Sequence, residues 1–177
     1  NRAEAWAEEH GVGSGASRLV TGNLDLFARI EAKVAALKQM QAALVMASGF
    51  QANASVLQAL FDRRVLGAEP LVFSDRLNHA SIHFGCAASG ARETRYRHRD
   101  AAHLASLLGQ YQGDDRAKFI LTESVFSMDG DVAPLVEIGR LAREHDAMLI
   151  VDDAHATGIL GEGGRGWAVA DPGPTEL

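Results

Sequence analysis

The chain has 177 residues, 47% of them hydrophobic, with a net charge of −6 and a pI near 5.6. That length buries a sizeable core, most simply as one domain or part of a larger one, and the acidic balance disfavours nucleic acid as a partner. A single cysteine, Cys86, excludes an internal disulfide, and the lack of a signal peptide or bilayer-length apolar run points to a soluble, cytoplasmic protein.

Residues 1–9, rich in Ala and Glu, read as a helix. The run Gly11-Val12-Gly13-Ser14-Gly15-Ala16-Ser17-Arg18 is too glycine-rich for regular structure. Leu26, Phe27, Ile30, Val34, Leu37 and Met40 recur at helical spacing and predict an amphipathic helix over 24–40. Residues 43–46 form a short apolar segment, Ser48-Gly49-Phe50 follows, and 51–61 reads as a second helix. From Leu71 the pattern becomes strand, loop, helix: strands at 71–73, 93–96, 119–123 and 148–151, with helices at 80–89, 101–111 and 135–144 between them. Strands alternating with helices of this length imply an α/β fold with a mainly parallel sheet and right-handed crossovers. Cys86 lies among small residues and reads as a buried hydrophobe. The basic stretch Arg92, Arg95, Arg97, His98, Arg99 reads as a solvated strand edge and loop. Asp171-Pro172-Gly173-Pro174 reads as a turn that connects rather than ends a domain.

The most informative run is Leu149-Ile150-Val151-Asp152-Asp153-Ala154-His155-Ala156-Thr157-Gly158. An apolar run without polar alternation suits a strand buried on both faces. Ligands of such sheets bind beyond the carboxyl ends of the strands, so Asp152 would point a fixed negative charge into a crevice. Three more polar clusters stand at strand ends or a helix start: Asn78-His79, Glu123 with Ser127, and Ser48-Gly49-Phe50, whose backbone N–H groups suit an anion such as phosphate. Each alone has a plain reading, as a helix cap, a core histidine or a structural ion pair. Four at one edge of a sheet point to a ligand site.

Metal binding by Asp152, Asp153 and His155, with His79 as a fourth ligand, is disfavoured, because adjacent strand residues face opposite ways. No metal is expected. A hydrolase elbow is absent, and Gly161-x-x-Gly164-x-Gly166 has the wrong spacing for a dinucleotide. A pyridine cofactor fits better. Asp152 would hold the ring nitrogen protonated, His79 would stack on the ring, and Ser48-Gly49-Phe50 would take the phosphate.

Five runs carry a family resemblance: Gly13-Ser14-Gly15-Ala16-Ser17-Arg18 with Thr21-Gly22-Asn23; Ser48-Gly49-Phe50; Asp75-Arg76-Leu77-Asn78-His79-Ala80-Ser81; Glu123-Ser124-Val125-Phe126-Ser127-Met128-Asp129-Gly130-Asp131; and Asp152-Asp153-Ala154-His155-Ala156-Thr157-Gly158. Gly161-Glu162-Gly163-Gly164-Arg165-Gly166 also matches. In this order they resemble the α-oxoamine synthases, pyridoxal-phosphate enzymes of the aspartate-aminotransferase fold type (fold type I). The resemblance implies that residues 1–23 are an N-terminal helix and Gly-rich loop, and 24–177 part of the cofactor-binding large domain. It implies that Asp152 binds the pyridine nitrogen and His79 stacks on the ring. Ser48, Gly49 and Phe50 would lie near the phosphate end, Ser127 and His155 at the phenolic oxygen, and Glu123 along the pocket. His79, His155 and Asp152 would take part in the chemistry.

The activity implied is decarboxylative condensation of an amino acid with an acyl thioester by a homodimer. The Asp-Asp-Ala-His-Ala-Thr-Gly and Phe-Ser-Met-Asp-Gly-Asp runs look most like the member of biotin biosynthesis, which joins L-alanine to a pimeloyl thioester. Alternatives are a member using glycine or serine with another acyl-CoA, or a non-catalytic protein that keeps the fold. The Schiff-base lysine of the family has no match here: the chain's lysines are Lys33, Lys38 and Lys118. The family's N-terminal segment with an acyl-binding arginine, and its C-terminal domain, also lack counterparts. The chain therefore reads as a fragment with no turnover by itself and at most weak, non-covalent cofactor binding.

Overall fold

The structure is a computed structural model and describes residues 1–168; the turn expected at 171–174 lies outside them. The chain forms two units, Asn1–Val45 and Met46–Leu177.

In the first unit, α1 (Arg2–His10) opens with a capping box between Asn1 and Glu4, and α2 spans Asp25–Lys38. α2 stops two residues earlier than its periodicity predicts, because Gln39 turns left-handed (φ 54°). Arg18 ties the glycine-rich loop to this helix. Its guanidinium donates to Asn23 Oδ1 (2.8 Å), Glu31 Oε1 (2.5 Å) and the Val45 carbonyl (3.0 Å), and lies over the Phe27 ring. Gly22 is required there, since a Cβ would meet the Ala16 carbonyl oxygen at 1.8 Å. The expected apolar stripe is present, yet Ala35 is the helix's buried residue and Ile30, Val34 and Leu37 stay more than a third exposed.

The second unit is a three-layer α/β arrangement. Its helices are α3 (Gly49–Leu60), α4 (Arg63–Leu66), α5 (Ala80–Ser89), α6 (Ala101–Gly109) and α7 (Leu135–Glu144); its strands are β1 (Leu71–Asp75), β2 (Glu93–Tyr96), β3 (Lys118–Glu123) and β4 (Ala147–Asp152). The short α4 was not expected from periodicity; the Asp62 cap, accepting from Arg64 N, and left-handed Gly67 define its one turn. The four strands pair in parallel in the order β2-β1-β3-β4.

Strand alternation splits the core in two. Leu71, Phe73 and Ile120 face α6 and α7, packing with Leu104, Leu108, Ile138 and Leu141. Val72, Phe119 and Leu121 face α3 and α5, packing with Leu57, Phe61, Ile82 and Cys86. Cys86 is the small buried residue expected, its thiol pushed up to about 12 by burial.

The strand of Leu149-Ile150-Val151 differs from expectation. All five residues of β1 are buried, whereas β4 is half-buried and Met148 is 52% exposed. Among the described residues β4 pairs with β3 alone. The uninterrupted apolar run marks a strand of a parallel sheet, as expected.

Candidate functional site

The chain leaves β1 toward β2 on one side and β3 toward β4 on the other, which makes the β1–β3 boundary a topological switch point. Crevices outside the carboxyl ends of strands at such a point are where open α/β sheets bind ligands. β1 ends at Asp75, β3 at Glu123 and β4 at Asp152.

Glu123 and Asp152 are register partners on neighbouring strands. Counting back in twos, Glu123 shares its face with Leu121 and Phe119, and Asp152 shares its face with Ile150. That face carries α3 and α5. Both carboxylates therefore emerge beneath these two helices, which supply their partners. Asn53 of α3 donates through Nδ2 to Asp152 Oδ2 (2.8 Å) and to Ser81 Oγ of α5 (2.9 Å). Asp152 Oδ1 accepts from the Ala154 backbone N–H (3.1 Å). α3 and α5 approach closely enough for this because of Gly85, where a Cβ would meet the Asn53 carbonyl oxygen and Leu57 Cδ1 at 3.0 Å.

His79 caps α5 through its imidazole. Nδ1 accepts from the Ser81 backbone N–H (3.2 Å) and lies 2.7 Å from Ser81 Oγ. The ring stays exposed, and a hydrogen-bonded path now joins it to Asp152 through Ser81 and Asn53. Glu123 is 1% exposed, and its Oε1 has no hydrogen-bond partner. Burial first, and then the Asp152 charge, raise its pKa, while the backbone N–H groups of His79 and Ser127 pull the other way.

Ser48 caps α3 by accepting from Gln51 N (3.1 Å). Gly49 opens the helix with free space where a Cβ would stand, which leaves the helix start accessible to an anion. Phe50 is exposed and tilts against Phe84 of α5, ring centroids 5.3 Å apart. Ser127 lies exposed in the turn after β3, and His155 exposed in the turn after β4. Asp153 does not face the ligand edge with Asp152. It accepts from Ser124 Oγ and from the backbone N–H groups of Trp167 (3.1 Å) and Ala168 (3.4 Å), so it organises the loop beyond β4.

Lys118 begins β3, at the opposite end of the strand from Glu123, and donates to the Asp114 carbonyl. It lines a cleft of about 390 Å³ at that far end with Asp114, Arg116 and Asp146.

Three residues whose contacts reach the candidate site or the strand end beside it escaped sequence reading. Asn53 and Ser81 carry the link between Asp152 and His79, and the available signals were slight: one of three side-chain amides on α3, and a serine two residues past a histidine. His98 was read with the solvated basic stretch. It is instead 14% exposed and bridges Asp75 Oδ1 and Asp131 Oδ2, each at 3.0 Å, while Arg95, Arg97 and Arg99 are exposed as expected.

The sequence profile of the family "Aminotransferase class I and II" matches residues 2–174. The chain belongs to that family. A putative 8-amino-7-oxononanoate synthase of Bordetella pertussis is 55% identical over 176 residues, which is 99% of this chain and 44% of that protein. The 8-amino-7-oxononanoate synthase of Gluconacetobacter diazotrophicus is 51% identical, again over 99% of this chain and 44% of its own length. The chain thus spans less than half the length of the curated relatives it matches. Among solved structures, a serine palmitoyltransferase from S. paucimobilis with PLP and myriocin bound has a TM-score of 0.85 at 32% identity, covering 92% of this chain and 39% of that one. The 8-amino-7-oxononanoate synthase from Francisella tularensis has a TM-score of 0.72 at 31% identity, covering 92% and 42%. The α-oxoamine synthase resemblance and the fold type I architecture hold, with a parallel sheet between two helical layers.

Proposed function

We propose that this chain is the cofactor-binding part of an 8-amino-7-oxononanoate synthase, which condenses L-alanine with a pimeloyl thioester and releases CO₂. The observation that carries the cofactor reading is Asp152. It is a carboxylate at a strand end over a topological switch point, tied through Asn53 and Ser81 to the exposed imidazole of His79. Relatives named for this reaction at 50–55% identity support the substrate.

The donor set fits pyridoxal phosphate: an acceptor for a pyridinium, a flat ring to stack on it, and a capped helix start with open space for its phosphate. Bound there, the group supplies an electron sink for a carbanion at the amino acid's α-carbon. Asp152 would keep a proton on the ring nitrogen. His79 would cover the ring and exclude water from it. Ser48, Gly49 and Phe50 would orient the phosphate end. Ser127 and His155 would bind the phenolic oxygen, where His155 could move a proton. Glu123, its pKa raised by burial and the Asp152 charge, would line the pocket between Asp152 and the His79 backbone.

A second reading is another α-oxoamine synthase, using serine or glycine with a different acyl-CoA, and the higher TM-score of the serine palmitoyltransferase favours it. The acyl carrier is CoA or a carrier protein in either case, and the working form a homodimer in the cytoplasm. Among the described residues no helix is long and apolar enough to cross a membrane.

The test uses the intact protein, supplied with alanine, glycine or serine against pimeloyl and long-chain acyl thioesters. Turnover with alanine and pimeloyl thioester supports the first reading, and turnover with serine and a long-chain thioester the second. No product and no bound cofactor would leave a non-catalytic protein that keeps the fold. Asp152→Asn removes the charge with little change in shape. It is expected to lower kcat by about a hundredfold or more, as removal of a preorganised charge from a transition state does.

A further inference from the structure

The hydrogen-bond directions around Asn53 are determined by chemistry. A carboxylate only accepts, so Asn53 must turn its amide nitrogen toward Asp152 Oδ2, 2.8 Å away. The same nitrogen carries a second hydrogen and lies 2.9 Å from Ser81 Oγ. Ser81 is 1% exposed, so water does not compete for its hydroxyl. Having accepted from Asn53, that hydroxyl has one hydrogen to give, and His79 Nδ1 stands at 2.7 Å. The Ser81 backbone N–H converges on the same nitrogen at 3.2 Å. A backbone N–H can only donate, so Nδ1 is an acceptor without a proton, the Ser81 hydroxyl donates to it as well, and the N–H of the ring sits on Nε2.

We propose that Asn53 is a positioning residue: its one amide nitrogen orients the Asp152 carboxylate and, through Ser81, holds His79 as the Nε2–H tautomer. The α3–α5 packing at Gly85 keeps the two hydrogen bonds in register. In this form His79 offers a donor at Nε2, suited to an acceptor oxygen such as a substrate carboxylate or carbonyl. The consequence for a bound pyridinium rests on the function proposed above; the tautomer rests on this chain's residues alone.

The experiment is nitrogen-15 NMR of histidine side chains in the intact protein without added cofactor, with the His79 signals identified by their loss in His79→Asn. Wild type is expected to show an unprotonated Nδ1 and a protonated Nε2 for His79. Asn53→Ala and Ser81→Ala should each move the Nδ1 signal toward the protonated-nitrogen range. The double variant should move it no further than Ser81→Ala alone, because both act along one path. A protonated Nδ1 in wild type, an unmoved signal in Asn53→Ala, or additive shifts in the double variant would overturn the proposal. The wild-type spectrum decides even if a variant fails to fold. Adding pyridoxal phosphate separates the two readings. Wild type with the expected tautomer but no cofactor binding supports the relay and sinks the cofactor assignment. If wild type binds, Asn53→Ala should bind about tenfold more weakly or worse, the usual scale for losing a hydrogen bond to a charged partner. Equal affinities would overturn the role at Asp152.

Discussion

Glu123 and Asp152 place two acidic side chains on one face of adjacent strands. Only Asp152 has a side-chain donor beside it, Asn53; Glu123 keeps a buried oxygen without a partner. Burial and the neighbouring charge raise the Glu123 pKa above its ordinary 4.5. The folded chain thus binds this proton more tightly than the unfolded chain does. Its contribution to stability is fully present below the ordinary value and is lost as pH rises through the raised one. Glu123→Gln, which cannot ionise, is therefore expected to gain on wild type as pH rises, by roughly 1–3 kcal/mol, the scale of an unsatisfied buried polar group. Urea unfolding of both proteins at pH 5 and pH 8 checks this; a constant difference between them would refute it. A motif containing Glu123 and Asp152 was legible in the sequence, since both end apolar runs. That the two acids are neighbours was not, because register between strands nearly thirty positions apart is set by packing.

The turn carrying Ser127 belongs to an element held from outside itself. Phe126 N donates to the Asp131 carbonyl and Gly130 N to the Phe126 carbonyl, with Gly130 at φ 70° closing the loop. Asp131 then accepts from His98 Nε2 and from Arg99, and the His98 ring meets Phe126 edge-on with centroids 4.4 Å apart. The other His98 nitrogen meets Asp75, at the end of β1. An imidazolium can donate at both nitrogens at once, so the charged ring suits the two carboxylates. Burial opposes the charge on His98, but hydrogen bonds to Asp75 and Asp131 outweigh it and raise the pKa above 6.5. Burial likewise opposes the charge on Asp131, while His98 and Arg99 hold its pKa below 3.8. The His98 contribution is complete below pH 6.5 and is lost as pH rises through the raised value. The Asp131 contribution is present above 3.8 and is lost as pH falls through the lowered one. The clamp is therefore tightest between these limits. Amide exchange across 126–131 is expected to accelerate between pH 6 and pH 9 by more than base catalysis explains. His98→Asn should remove that excess. An unchanged pH response in the variant would show that the clamp lies elsewhere. In sequence His98 sits among arginines and looks like one more solvated cation. Only the approach of three segments, ending at residues 75, 98 and 131, makes it a bridge.

At the scale of the molecule, stability of the second unit rests on two apolar clusters separated by the sheet. Phe73 lies at the centre of the one facing α6 and α7, fully buried and edge-on to Tyr111 at 5.8 Å. Phe73→Ala is expected to cost about 3–5 kcal/mol, the range for deleting a buried aromatic. Chemical denaturation measures it, and a cost below 1 kcal/mol would mean the layers are not close-packed there.

Composition and periodicity alone carried the alternation of strands and helices, because backbone preference and the repeat of apolar residues are local properties. Helix α5, strand β2 and helix α7 fall at the residues read from the chain, and the other expected elements within a few positions; the single turn α4 was missed. The same local signals placed Asp152, Glu123 and His79 at element ends. Nothing local could say how far β4 is buried, since exposure depends on what packs against a strand. Nor could it find Asn53 and Ser81, whose meaning lies in a path from residue 152 through residue 53 to residue 79. Hydrogen bonds across ninety-nine positions exist only once the sheet and helices have packed. The site's residue types belong to the sequence, and its wiring to the tertiary fold.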